Sequence, residues 1–340
     1  MKTGFRPAPV ASLRSRYAGD GRERRLGLVF MVVSAAAVVL DGATTHLGAA
    51  LVLALFAALQ FAAAGLGVQR PVLRRAAAGG VIVAVILAAT VVPTLRWSAP
   101  NAARFGSEAL WSLPGALVPA LAFVAAVRIF RRERDSRRLW RFLARLGAVF
   151  ALWGIAQQAA FPTWHFGQRT AYVDSLTGFY VNRNAAAALL TLTLLAALVD
   201  LDRVAERAPL GRWLAVVAGE ARLRSVDAAT LIATGVVLIQ VIALVLTRSR
   251  AGTVCGLLAA AGFAAVRWAD HETAAGRRPS WRRLLPWGLA AAVPLVALLE
   301  RVLQRFDHEG LDDARWCVLP GMIETARAAL PGGVGLGGFV

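Results

Sequence analysis

The feature that most constrains this chain is recurrence. Apolar runs of about 17 to 25 residues, the length a helix needs to cross the hydrocarbon of a bilayer, follow one another from near residue 26 to residue 300. They lie at 26–45, 47–68, 76–95, 113–130, 142–161, 184–200, 227–247, 251–268 and 284–300. The runs are continuous rather than alternating, which favours helix over a membrane barrel, and a helix satisfies its own backbone hydrogen bonds in lipid. The expected fold is therefore all-α: a polytopic helical membrane protein with about nine transmembrane helices. A basic segment, 1–25, precedes the helical domain at 26–300, and a segment at 301–340 follows it.

Composition agrees with that reading. With 58% apolar and 17% charged residues, one soluble core would leave large apolar surface facing water, so the excess requires lipid. Abundant Ala and Gly within the runs suits close helix packing in a membrane. The first run leads almost directly into the second without a convincing cleavage site, so it reads as a retained anchor rather than a signal peptide.

A net charge of +18 would point to nucleic acid in a soluble protein, but here its distribution decides. The segments 1–25, 69–75, 128–145, 201–226 and 267–283, which fall on one side of the expected topology, hold 28 of the 38 Lys and Arg. That asymmetry is the positive-inside pattern and sets the N-terminus in the cytoplasm. The run "RRERDSRR" at 131–138 is then a topology signal beside anionic headgroups, with membrane lipids rather than nucleic acid as partner. The segment at 205–226, with Trp213 and several Arg, has the character of an interfacial helix. Cys255 lies inside a run and Cys317 in the external tail, so neither a disulfide nor a cysteine metal site is expected.

With this orientation the external side carries a loop at 162–183, a tight turn at 248–250 and the tail from 301. The turn, "TRSRAG", holds Arg248 and Arg250 between two spans. Two readings stand: the guanidinium groups snorkel to headgroup phosphates, or they form an anion clamp whose planar forks match phosphate oxygens. At the mouth of the sixth span stand Asn182, Arg183 and Asn184. Asn184 is the expected cap of that helix, and Arg183 adds donors on the side of Arg250. The tail contains Arg315-Trp316 and then Pro331, Gly333, Gly335, Gly337 and Phe339 at alternate positions. Gly333, Gly335 and Gly338 also spell the dinucleotide fingerprint, but no strand precedes them.

The combination of N-R-N at the head of a span, an S-R-x-G turn between two later spans, and Arg-Trp followed by P-x-G-x-G-x-G-x-F resembles the O-antigen ligase and polymerase superfamily over residues 178–339. The resemblance implies a GT-C-like architecture and metal-independent, inverting transfer of a glycan. The implied donor is an undecaprenyl diphosphate-linked oligosaccharide, and the implied acceptor a glycan or lipid A core. The implied place is the external face of a bacterial inner membrane, and no cofactor is implied. Carried over, it makes Arg250 of Ser249-Arg250-Ala251-Gly252 the first ligand for the donor diphosphate, then Arg183 and Arg315, with Arg248 lower because it lies outside the S-R-x-G core. Ser249, Gly252, Gly333, Gly335, Gly337 and Phe339 are the implied loop motif.

In that family a His beyond the glycine motif serves the acceptor, whereas this sequence stops at Val340. The expectation is a truncated member, with His308 in "DHEGLDD" a weak substitute whose plain reading is a solvated loop. Polymerase shares all three motifs with ligase. A transport-associated protein would place polar groups deep in the spans, where Gln157, Gln158 and Gln240 are the main exceptions to apolar sequence; a non-catalytic scaffold is the other alternative.

Overall fold

The computed structural model describes residues 10–40, 46–64, 66, 80–81, 83–85, 102–164, 172–205, 228–274 and 314–328. They are almost entirely helical, and no β-strand occurs among the described residues. Eight helices follow in order: α1 Val10–Val39, α2 His46–Ala63, α3 Ala102–Ile129, α4 Glu133–Ala160, α5 Arg183–Ala205, α6 Ala228–Leu246, α7 Arg250–Ala274 and α8 Ala314–Ala328. Seven of the nine expected runs coincide with α1 to α7. The run at 76–95 is described only at 80–81 and 83–85, and that at 284–300 lies outside the described residues, as does the segment 206–226. Among the described residues three helices, α4, α5 and α6, are long and apolar enough to cross a membrane.

Helix and apolar run do not share boundaries. α1 begins at Val10 and passes through the basic residues Arg22, Arg24 and Arg25 into the apolar run without a break. α4 likewise begins in the charged stretch at Glu133, where Arg137 reaches Glu133 at 2.7 Å and Arg138 reaches Asp135 at 3.1 Å. Long straight-chain basic residues are good helix formers, so a change in polarity marks where lipid would begin, not where helix begins. α2 starts at His46, one residue ahead of the apolar run at 47–68.

The chain divides into two compact units, residues 1–139 with 324–340 and residues 140–323. In the first, α1, α2 and α3 pack on one another around Leu26, Phe30 and Val33 of α1, Val52, Phe56, Leu59 and Ala63 of α2, and Ala125 and Ile129 of α3. The spacings of three, four and seven residues put each set on one helical face. Phe30 meets Phe56 and Phe130 edge to face, at 5.7 and 5.3 Å. At one end the buried carboxylate of Glu23 accepts from Arg131. The outward faces remain apolar, with Leu47 and Phe61 each 83% exposed, a pattern suited to lipid rather than water.

In the second unit α5 is the central helix, packed against both α6 and α7. Small residues allow this. A β carbon on Gly252 would collide with the Ala187 methyl, and one on Gly256 would meet Leu244 and Thr191. Gly252 and Gly256 thus form a small-xxx-small stripe of the kind that brings membrane helices together. On the other flank Gly147 of α4 lies against Thr193 of α5 and Gln240 of α6. Gln240 is fully buried and donates to the Ala144 carbonyl at 3.0 Å. Gln240 and the other two main polar exceptions act as helix and loop fasteners, since Gln157 donates to Trp164 O at 2.7 Å and Gln158 to Val173 O at 2.9 Å.

Candidate functional site

The candidate site is the end of the second unit where α6 stops and α5 and α7 begin. α6 terminates on itself: Thr247 N donates to Ala243 O at 3.0 Å and its hydroxyl donates to Leu244 O at 2.7 Å. Arg248 then takes φ +52°, the left-handed conformation that ends many helices and that favours glycine. The next residue starts α7. Ser249 is its N-cap, its hydroxyl oxygen accepting from Gly252 N at 3.3 Å and its carbonyl from Thr253 N at 2.8 Å. The S-R-x-G motif is therefore a helix start rather than a free turn, with Arg250 as the first helical residue. Serine is favoured there because its oxygen satisfies an amide with no helical partner.

α5 starts beside it. Asn182 accepts from Asn184 N at 2.8 Å through its side chain, and its carbonyl accepts from Ala186 N at 3.2 Å. The cap is Asn182, not Asn184 as its position suggested. Asn184 instead fastens the two helix starts together, its Oδ1 accepting the Ser249 hydroxyl at 2.8 Å. Arg183 and Arg250 each occupy the first position of one of these helices.

Charge at this end is unbalanced. A helix start carries unpaired amide donors and the positive end of the backbone dipole, and acidic residues normally sit there. Neither α5 nor α7 has an acidic residue in its first turn; each opens with an arginine. Among the described residues the Arg250 guanidinium makes no hydrogen bond or ion pair, and Arg183 lies with its guanidinium carbon 5.0 Å from the Tyr172 ring centroid. Arg248 is engaged by Asp174 at 2.7 Å, with both side chains about 60% exposed.

Asp174 and Tyr172 belong to a loop over α4. Ser175, Leu176, Thr177, Gly178 and Tyr180 are buried, and Leu176 N donates to Leu246 O at 2.9 Å, satisfying a carbonyl at the end of α6. Gly178, at φ +61°, presses against the Phe150 ring, and Phe179 stacks on Trp153 at 5.5 Å. Burial pushes the Asp174 carboxyl up, but the Ser175 hydrogen bond and the Arg248 charge outweigh it and hold the group below the usual carboxylate range.

Of the residues singled out in sequence, the structure brings together Arg183, Arg248, Ser249, Arg250 and Gly252. Gly252 serves both the cap and the approach to Ala187 rather than a loop. Arg315 lies on α8. His308, Gly333, Gly335, Gly337 and Phe339 lie outside the described residues. Among the described residues no three His, Cys, Asp or Glu are grouped so as to hold a metal, and Cys255 is an exposed free thiol. Sequence reasoning missed Asp174, whose partner Arg248 lies 74 residues on, and Tyr172, whose ring meets Arg183 across an irregular loop; neither contact leaves a local signal. It also misassigned the cap, for which the signal was present: Asn182 stands just before the first helical residue of an apolar run. No known family matches the chain, and neither does any curated protein or solved structure.

Proposed function

We propose that this chain is a multi-pass membrane glycosyltransferase of the O-antigen ligase type, with its N-terminus in the cytoplasm and the arginine end on the external face. It moves a glycan from an undecaprenyl diphosphate carrier to an acceptor such as lipid A core; a polymerase, which takes a growing glycan as acceptor, uses the same parts. The observation that carries this reading is the pair of arginine-led helix starts tied by Ser249 and Asn184. Two helix starts adjoin there, and each opens with an arginine and has no acidic residue in its first turn; such an arrangement suits an anion.

The chemistry follows from charge. The acceptor oxygen forms a bond to the anomeric carbon as the bond from that carbon to the diphosphate oxygen breaks, with inversion, and the acceptor hydroxyl gives its proton to water. Negative charge grows on the departing diphosphate. Arg250, Arg183 and the first-turn amides are set before the reaction begins, so they stabilise the departing group more than the bound donor. Arg315 of α8 is a further proposed ligand, with Arg248 subordinate to it.

The test is transfer from a synthetic polyprenyl diphosphate-linked glycan by membranes carrying the full chain. Arg250→Lys keeps the charge but not the fork, and is expected to lose about tenfold or more in rate. Undiminished transfer by that variant overturns the clamp. Absence of transfer by the unaltered chain, with all candidate acceptors supplied, overturns the enzyme reading.

A further inference from the structure

We propose that the segment 172–176 is a strap across the arginine end, in which Asp174 stands in for a ligand phosphate and must be displaced by it. This rests on the reading of that end as an anion site. Of the three arginines that lead or precede the helix starts, one is already engaged by a carboxylate from this segment, Arg248 by Asp174 at 2.7 Å. A second, Arg183, lies against an aromatic ring from the same segment, Tyr172. Only Arg250 has no such neighbour among the described residues. Two contacts from one short stretch of chain thus cover two of the three cations.

The strap is built to hold at one side and release at the other. Residues 175 to 178 are buried and fastened, with Leu176 on the end of α6 and Gly178 on Phe150. Residues 172 to 174 are exposed. An ion pair exposed at 61% and 59% is weak because water and salt compete for both partners, so it closes the site without locking it. The backbone agrees: Tyr172 and Arg248 both have φ above +50°, a region that crowds a β carbon and persists only where surrounding contacts enforce it. Moreover, a diphosphate brings more charge and more acceptor oxygens than one carboxylate, so it outcompetes Asp174 for a guanidinium fork.

The experiment is calorimetric titration of the full chain, in zwitterionic detergent, with inorganic pyrophosphate. The unaltered protein is compared with Asp174→Asn, Arg248→Ala, the double variant and Arg250→Ala. Asp174→Asn is expected to bind pyrophosphate about two- to fivefold more tightly, the worth of an exposed ion pair expressed as a ratio. The factor lost on Arg248→Ala should be larger in the Asp174→Asn background than in the unaltered protein, because only there is Arg248 unengaged at the outset. An equal factor in both backgrounds means that Asp174 acts through general charge alone, and it overturns the strap. So does an unchanged affinity in Asp174→Asn. Asp174→Ser should give the same coupling and serves if the asparagine variant does not fold. Arg250→Ala separates the two failures: if it weakens binding while residues 174 and 248 are uncoupled, the strap alone falls, whereas no pyrophosphate binding by any of the proteins removes the anion site as well.

Discussion

At the scale of single residues, Arg248 carries an opposition between backbone and side chain. Its left-handed backbone suits glycine, while its guanidinium holds Asp174. Arg248→Gly loses the ion pair but relieves a backbone strain of about 1 kcal/mol, so its thermal stability is expected to equal or exceed that of the unaltered protein. Arg248→Ala keeps the strain and loses the pair, and should melt lower than Arg248→Gly; the reverse order in detergent thermal unfolding refutes the assignment. Ser249 is simpler. Its replacement by Ala removes an N-cap and the tie to Asn184, an expected loss of about 1 kcal/mol that Ser249→Asn largely restores. The sign of the pH effect at Asp174 follows from its lowered folded-state value. The pair contributes fully above the ordinary carboxylate value of about 3.9 and is lost as pH falls through the lower folded value. A carboxyl titration by NMR should therefore place Asp174 below a free aspartate and move it upward in Arg248→Ala.

At the scale of elements, the glycines of α7 make opposite forecasts from one helix. Gly252 faces Ala187, and adding one methyl group there forces α5 and α7 apart; Gly262 has nothing within 4 Å. Gly252→Ala is expected to cost about 1 to 3 kcal/mol through overpacking, while Gly262→Ala gains up to about 1 kcal/mol from helix propensity. Equal effects at the two positions, read by unfolding in micelles, would rule out the close approach. Much of the helical layout was legible because lipid-scale apolar runs are long, local signals, and Val52, Phe56, Leu59 and Ala63 repeat as a buried stripe should. Helix starts were less legible. Polarity changes at residue 25 and again near residue 140 suggested boundaries, yet hydrogen bonding continues through both. For the site, the arginines and Ser249 could be found by motif, since they are near in sequence. The partnership of Arg248 with Asp174, 74 residues apart, depends on how α4, α5 and α6 pack, and nothing local announces it. The spacing of Gly252 and Gly256 was in plain view but belongs to packing, which a search for chemistry passes over.

At the scale of the whole molecule, the question is which side of a membrane the arginine end faces. In the second unit α4, α5, α6 and α7 alternate in direction. The 247–249 turn meets Asp174 and Asn184 at one end, while Arg267 of α7 reaches Asp202 of α5 at 2.8 Å at the other, where Arg141 and Arg145 of α4 act on Asp200. The second end therefore collects Arg141, Arg145, Arg203 and Arg267, four of the residues that the positive-inside pattern assigns to the cytoplasm. α6 separates the ends by 19 residues, about 28 Å at 1.5 Å per residue, close to the hydrocarbon thickness. Single cysteines at Val181, beside the arginine end, and at Ala228, at the opposite end of α6, test this in intact cells after Cys255 and Cys317 are changed to Ser. An impermeant maleimide is expected to label position 181 at once and position 228 only after the membrane is opened. Labelling of 228 alone inverts the orientation and places the arginines where an external donor cannot reach them. Prompt labelling of both means that α6 does not cross the bilayer, and the glycan-transfer proposal fails with it.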